Sequence, residues 1–481
     1  MSNERTSLLE AEGSGDDDTN VVFWVGPDDA ENPINWPKEK TWGHIALISI
    51  LTFLIPLGMT MFAPALQNVL QDFGSTDRVL ASLSISIYVL GWALGPLIVA
   101  PLSEVHGRLV IYTWSNILYV FFTVGCALAP TLRVLVLLRF LCGAVGSTPL
   151  TIGGGTISDI VPIQKRGLAL SLYMFGPILG PSVGPLLGGF ITDMLGWRWI
   201  FWTLAIIYSA MTLLQILLMR ETYAARILQH RTNKLRQQTG NINLRSKLDD
   251  DSTGYEILVR AIVRPAKITI YSPLTLVLSL ASAYLNGVVF LLLTTAPIMF
   301  HSIYGFSPKA VGIALLGYGI GNLVGLLIFT LTSDRLVRRQ PAVAAKQNRP
   351  ENRIIPILGA LPLIFVGLLW YGWSAATGVH WMLAITGSAL IGAGNVLFMS
   401  TVTGYLIDCF GAYAASAIAA NTVLRSLGGT LLPLIGADLF AAIGWGWGNS
   451  VLALVAVLLT PAMLYLYLRG ESLRAKHSIA F

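Results

Sequence analysis

Twelve apolar stretches succeed one another along this sequence, near 42–64, 79–100, 109–130, 134–157, 168–191, 198–219, 272–299, 309–332, 354–374, 380–405, 414–442 and 448–468. Each is close to the roughly 20 residues that cross about 30 Å of hydrocarbon as a helix. In lipid every backbone N–H and C=O has to find its partner inside the protein, so such a run spans as a helix. Only 12% of the residues are charged and the mean hydropathy is +0.68, against about 25% charged in soluble domains. The chain reads as an all-α membrane protein of twelve transmembrane helices embedded in a lipid bilayer.

Lysine and arginine set the orientation. With both termini in the cytoplasm, 25 of the 31 basic residues fall in cytoplasmic tails and loops. Four (Arg78, Arg133, Arg198 and Lys309) lie at outer ends or loops, and Arg139 and Arg425 lie inside spans. The net charge of +6 is thus confined to particular loops and does not suggest a nucleic-acid partner. The polar stretch 220–271 holds ten basic residues and separates six spans from six. This gives a tail over 1–40, a six-helix bundle over 41–219, a cytoplasmic linker over 220–271, a second bundle over 272–468 and a short tail over 469–481. The first tail is polar and partly acidic, lacks a cleavable signal pattern, and is expected to be disordered. An internal repeat supports two halves. PLSEVHGR (Pro101–Arg108) follows span two, and LTSDRLVRR (Leu331–Arg339) follows span eight. Glu104 and Asp334 are 230 residues apart, as are Arg108 and Arg338.

Cys126, Cys142 and Cys409 lie in or at the end of apolar spans and make no disulfide framework or metal spacing. No phosphate-binding G-x-x-x-x-G-K-[ST] run is present. We therefore expect no cofactor, no metal, no ATP and no enzymatic activity, with transport driven by a gradient.

Gly176–Ile191 reads GPILGPSVGPLLGGFI. In a soluble helix each Gly costs about 1 kcal/mol and each Pro about 3; neighbouring helices lower that cost in a membrane. Gly176, Gly180, Gly184 and Gly188 recur every four residues and form one smooth face for close helix contact. Pro177, Pro181 and Pro185 follow one position on. The spacing suits a moving interface and a static one equally. Its close, Gly184, Pro185, Gly188 and Gly189, resembles the GP-x-x-GG antiporter motif on span five of drug:proton antiporters in the major facilitator superfamily, with Ser171 standing where that family has its most distant upstream glycine. ENPINWP (Glu31–Pro37), DIVPIQKRG (Asp159–Gly167) and RETYAARIL (Arg220–Leu228) resemble signatures of the fungal members. PLSEVHGR resembles the superfamily loop G-x-L-x-D-R-x-G-R-R, keeping Glu104, Gly107 and Arg108 and departing at Ala100, Val105 and Leu109. The second copy offers Asp334, Arg335 and Arg338.

The chain is identified from these motifs as a relative of fungal twelve-span drug:proton antiporters. The resemblance runs from Glu31 to the end of span twelve. It implies a monomeric carrier whose two bundles rock about a midplane site and which exchanges protons for a small organic molecule, a secondary metabolite or a xenobiotic. Glu104, Gly107, Arg108, Asp159, Arg166, Asp334, Arg335 and Arg338 would then form the cytoplasmic gate; the plainer alternative is that they anchor topology. The alternative function is an organic-acid symporter or facilitator. The family resides in the plasma membrane; the vacuolar membrane is the alternative, raised by the dileucine-like ERTSLL (Glu4–Leu9).

Ionisable groups inside spans are expensive and usually face a cavity or a partner. Arg139, in LLRFLCGAVG, resembles the family's span-four arginine implicated in proton coupling. Arg425 lies mid-way along span eleven. With Asn286 and Asn421 they make a candidate cavity for cargo bearing a carboxylate or phenolate, which guanidinium groups pair bidentately. Alternatively each arginine is neutralised by helix-end carbonyls or a carboxylate. Spans one, two and seven hold no Asp or Glu; His44, near the end of span one, is the remaining titratable group there.

Overall fold

The computed structural model describes residues 20–26, 28–162, 165–248, 254–338 and 350–476. Among them, twelve helices are long and apolar enough to cross a membrane. They are Lys38–Asp72, Val79–His106, Arg108–Ala127, Leu132–Ile160, Arg166–Leu195 and Arg198–Leu218 in the first half, and Pro273–Tyr304, Pro308–Thr332, Ile355–Thr377, Trp381–Phe410, Ala414–Gly436 and Asp438–Ser472 in the second. Local chemistry sets their ends. Asp77 caps span two by accepting the N–H groups of Val79 and Leu80 at 2.9 and 3.1 Å. Ser272 caps span seven with Pro273 in its first turn. Spans eleven and twelve are joined through a kink at Gly444, whose φ of +76° suits glycine.

Two six-helix bundles follow. Spans one and five, two and four, and three and six pack together in the first; seven and eleven, eight and ten, and nine and twelve do so in the second. The pairing repeats with an offset of six, so each bundle is a copy of the other's plan. A charged pair repeats with it. Arg108, opening span three, lies 3.5 Å from Asp159 at the end of span four. Arg353, just before span nine, forms a salt bridge with Asp408 at the end of span ten. The sequence had suggested Asp334, Arg335 and Arg338 as the second copy; their side chains lie outside the described residues.

The expected tail and linker fold together. Strand β1 (Val21–Val22) pairs in parallel with β2 (Arg245–Ser246), Val21 opposite Arg245 and Val22 opposite Ser246. Two helices, Ala224–Thr239 and Gly254–Tyr271, make up most of the linker. Val22 and Trp24 are buried. Asp29 accepts the N–H groups of Val25 and Glu31, both at 2.9 Å, and pairs with Arg231 at 2.8 Å. Residues 20–26 and 28–37 are therefore ordered, contrary to the disorder expected for 1–40, because VVFWV gives this otherwise polar stretch an apolar anchor. Residues 1–19, with ERTSLL, lie outside the described set.

Asp29 gives a pH prediction. Burial pushes its carboxyl up, but the hydrogen bonds from Val25, Arg231 and Glu31 outweigh that and hold it below its ordinary value. A carboxylate depressed in the folded state stabilises docking fully above its unfolded pKa, and this is lost as pH falls through the folded value. Amide exchange of residues 20–37 is expected to stay slow down to about pH 4 and to rise below it. Protection that ignores acid would show that the ion pair does not hold the segment.

Candidate functional site

A cavity of about 1080 Å³ lies between the bundles. Spans two, four and five wall one side through Trp92, Pro96, Ser147, Thr151, Met174 and Pro177; spans ten and eleven wall the other through Thr403, Ile418, Asn421, Thr422 and Arg425. Its mouth carries Tyr223, Arg226, Gln229, Leu248, Arg264 and Pro265 of the linker, so the cavity opens at the linker end. At the far end the bundles meet. The Ser86 hydroxyl lies 3.4 Å from the Thr430 carbonyl and the Thr430 hydroxyl 3.3 Å from the Ser86 carbonyl. A Cβ at Gly189 would sit 2.5 Å from the Pro308 carbonyl oxygen, and one at Gly312 2.4 Å from that of Pro185.

The two intramembrane arginines part company here. Arg425 lines the cavity, and among the described residues its side chain makes no salt bridge or hydrogen bond. One turn earlier on the same face, Asn421 is 4% exposed and its Oδ1 has no hydrogen-bond partner. Asn286 does not line the cavity. Its amide donates to the Arg425 backbone carbonyl at 3.1 Å and so fixes span eleven at that point. Arg139 is 1% exposed and lies outside the cavity wall. It donates to the Met59 carbonyl at 3.0 Å, with the rings of Phe62 and Tyr88 at 4.7 and 5.3 Å from its guanidinium carbon. The α-helix of span one stops at Met61 and gives way to a tight turn at Ala63–Ala65. Arg139 thus caps the C-terminal turn of that α-helix from within span four, where a cation meets the negative end of the helix dipole.

The glycine ridge also takes a definite partner. Cβ atoms at Gly176, Gly180, Gly184 and Gly188 would all strike span one; that at Gly188 would come within 1.8 Å of the Met61 carbonyl oxygen. The four-residue ridge is an intra-bundle contact. The contact between bundles falls on the neighbouring stripe, at Ser182, Pro185 and Gly189. Pro177 faces the cavity.

At the linker end, Arg108 donates to the Ser103 hydroxyl at 2.7 Å and lies over the Tyr223 ring at 4.8 Å. Arg166 donates to the Val161 and Ser158 carbonyls at 2.8 and 2.6 Å, closing span four. Glu104 faces the cavity mouth. The hub is a residue the sequence reading left without a role. Glu221, in RETYA, accepts the N–H groups of Arg108 and Leu109, both at 3.0 Å, and those of Thr222 and Tyr223 at 2.9 and 2.8 Å. It caps span three from 113 residues away. Gly107 makes room: its φ is +93°, and a Cβ there would lie 2.5 Å from Glu221 Oε2. Glu221→Ala is expected to lower stability by about 2 kcal/mol, with Glu221→Gln in between, as lost caps and charged hydrogen bonds do. Thermal unfolding midpoints in detergent measure this; an unchanged midpoint would deny the cap its role. His44 is structural too. It accepts the Arg220 N–H at Nε2 (3.0 Å) and donates from Nδ1 to the Lys40 carbonyl (2.8 Å).

The sequence model of the Major Facilitator Superfamily matches residues 48–433. The efflux pump radE of Floropilus chiversii is 44% identical over 464 residues, covering 95% of this chain and 85% of the relative. The MFS-type transporter hepF of Aspergillus oryzae is 44% identical over 465 residues, covering 96% and 95%. Among solved structures, the inward-facing, unoccupied bacterial homolog of the human lysosomal transporter Spinster has a TM-score of 0.63 at 14% identity, covering 92% of this chain and 99% of that one. The partially occluded inward-open xylose transporter XylE of E. coli has a TM-score of 0.64 at 16% identity, covering 89% and 98%.

Proposed function

The chain belongs to the major facilitator superfamily, and from that premise we propose that it exports a small amphipathic organic anion in exchange for protons, by alternating access. A transporter of this family is no enzyme; its work is to bind on one side and release on the other. The observation that carries the reading is Arg425, a cavity cation with no counter-ion among the described residues, one turn from the unpartnered Asn421 Oδ1. A carboxylate or phenolate would pair with the guanidinium, and a hydroxyl beside it would donate to Asn421. Apolar walls at Pro96, Met174, Pro177 and Ile418 suit the rest of an organic skeleton. Similarity to efflux pumps such as radE supports outward transport.

In the cycle, the linker ends close while the contacts at Ser86–Thr430 and Gly189–Pro308 part. Arg108 and Asp159 sit where that closure is decided, and Asp159 is a half-buried carboxylate facing a cation there. Its protonation would remove the attraction to Arg108, which makes it the proton carrier in this reading. The basic linker end faces the cytoplasm, the protein acts as a monomer, and it resides in the plasma membrane.

Proton flux into liposomes tests this. An acid gradient is imposed and carboxylate-bearing and cationic amphiphiles are added, with Arg425→Ala and Asp159→Asn alongside. Anionic compounds are expected to dissipate the gradient through the parent protein and through neither variant. Dissipation by cationic compounds alone would refute the assigned cargo. A labelled compound that equilibrates without proton movement would make the protein a facilitator.

A further inference from the structure

Charge in the cavity wall is unbalanced: among the described residues that line it, Glu104 stands against Arg226, Arg264 and Arg425. Arg425 lies in span eleven. The other two arginines stand at the mouth and belong to opposite bundles. Arg226 is in the first turn of the linker helix Ala224–Thr239 and lies against the start of span three, where a Cβ at Gly107 would sit 3.2 Å from its Cγ. Arg264 is carried by the helix Gly254–Tyr271, which leads into span seven through Ser272 alone. Its guanidinium carbon lies 5.9 Å over the ring of Tyr413, in the turn between spans ten and eleven. That helix also rests on span two, but its continuity with span seven and the Tyr413 contact tie Arg264 to the second bundle. Neither arginine has a counter-ion among the described residues. Arg226 donates to the neutral Gln229 Oε1 at 2.7 Å, and the contact of Arg264 is the Tyr413 ring.

Closing the linker end carries these two cations towards each other. Two unit charges about 4 Å apart repel in water by the equivalent of about a fivefold population change, and by more as the closing mouth sheds water. An empty cavity therefore resists closure. An oxyanion between the two guanidinium groups accepts hydrogen bonds from both and converts the repulsion into a bridge.

We propose that Arg226 and Arg264 form an oxyanion site at the cavity mouth, shared by the two bundles, and that it takes a second acidic group on a cargo whose first is held by Arg425. The last clause rests on the reading of Arg425 as the cargo site. A group on cargo already held at Arg425 reaches the mouth at high effective concentration, which a dilute free ion does not. The site makes closure depend on cargo, so the empty carrier stays open at the linker end and moves no proton. The cargo class is then a diacid, such as a dicarboxylate or a carboxylate bearing a phenolate.

Sulfate is the probe of the site. Thr151→Cys, in the cavity wall, reports closure by its maleimide reaction from the linker side, in a Cys409→Ser background that leaves the two buried cysteines. Sulfate, against chloride at equal ionic strength, is expected to slow that reaction saturably by about fivefold. Arg226→Gln and Arg264→Gln should each react slowly already in chloride and ignore sulfate, while Arg226→Lys and Arg264→Lys keep the charge and the response. Sulfate that acts like chloride, or equally on the glutamine variants, overturns the site. Ser86→Cys, at the far-end contact, should gain reaction from the opposite side as sulfate is added; if it does not, sulfate only blocks the mouth and the link to closure falls. Arg425→Ala should keep the sulfate response; if it alone loses it, the ion acts at the cargo site, and the mouth site falls while the cavity reading stands. Dicarboxylates from glutarate to sebacate test the cargo clause. At one chain length the half-maximal concentration should fall at least about tenfold below that of sulfate, and Arg425→Ala should remove the advantage. A series with no advantage leaves a site for free oxyanions and overturns its link to cargo; an advantage that survives in Arg425→Ala overturns the cargo role of Arg425 and leaves the mouth site in place.

Discussion

Gly189→Leu is expected to drive the protein out of the linker-open arrangement while leaving each bundle folded. Gly189 touches span eight of the other bundle, where even a Cβ would lie 2.5 Å from the Pro308 carbonyl oxygen. A leucine there can be accommodated only if the bundles separate at the far end, which is the movement that closes the linker end. Overpacking costs about 1–3 kcal/mol, so the balance of states should shift by roughly 5- to 150-fold. Gly188→Leu, one residue away, faces span one of its own bundle, with its Cβ 1.8 Å from the Met61 carbonyl oxygen. No rocking of bundles relieves that clash, so this variant should fail to fold. The measurement is the reaction of Thr151→Cys, in the cavity wall, with a membrane-impermeant maleimide from the linker side. It should slow sharply in Gly189→Leu; an unchanged rate would mean that the far-end contact does not hold the open state.

Arg425→Ala should change binding and stability in opposite directions. Truncating one partner of a buried charge pair costs about 2–5 kcal/mol of affinity, so an anionic amphiphile should bind roughly 30-fold to several thousand-fold more weakly. Arg425→Lys keeps the charge but loses the planar fork and should fall between. Without cargo the same truncation removes a cavity-lining cation that has no partner among the described residues, and an unpaired charge inside a span is costly. The cargo-free alanine variant should therefore unfold at a higher temperature than the parent, and cargo should no longer raise that temperature. A variant that loses binding and stability together would mark Arg425 as structural.

The twelve spans were legible because a membrane helix announces itself by length and hydropathy, which need no knowledge of neighbours. Partners were not legible. The spacing of Gly176, Gly180, Gly184 and Gly188 names a face but not what lies against it, and that proved to be span one. Arg139 and Arg425 look alike in sequence, each a lone arginine in an apolar run. What separates them is the end of the span-one α-helix at Met61, beside the Met59 carbonyl that Arg139 reaches, whereas the Arg425 side chain has no such partner among the described residues. Glu221 was invisible because its role lies across 113 residues, at the start of span three. The order of residues 20–37 was hidden by averaging composition over forty residues, although Val22 and Trp24 supply the anchor.

The pairing of β1 with β2 has a bearing on how the chain is made. Val21 cannot meet Arg245 until the ribosome has passed that codon, by which time all six spans of the first half precede it in the nascent chain. The clasp therefore can form only behind a completed half, joining its beginning to its end. A translocon could release the first six spans as a finished unit, fastened at the neck, and the remaining six would then be threaded in beside a partner already in its final shape.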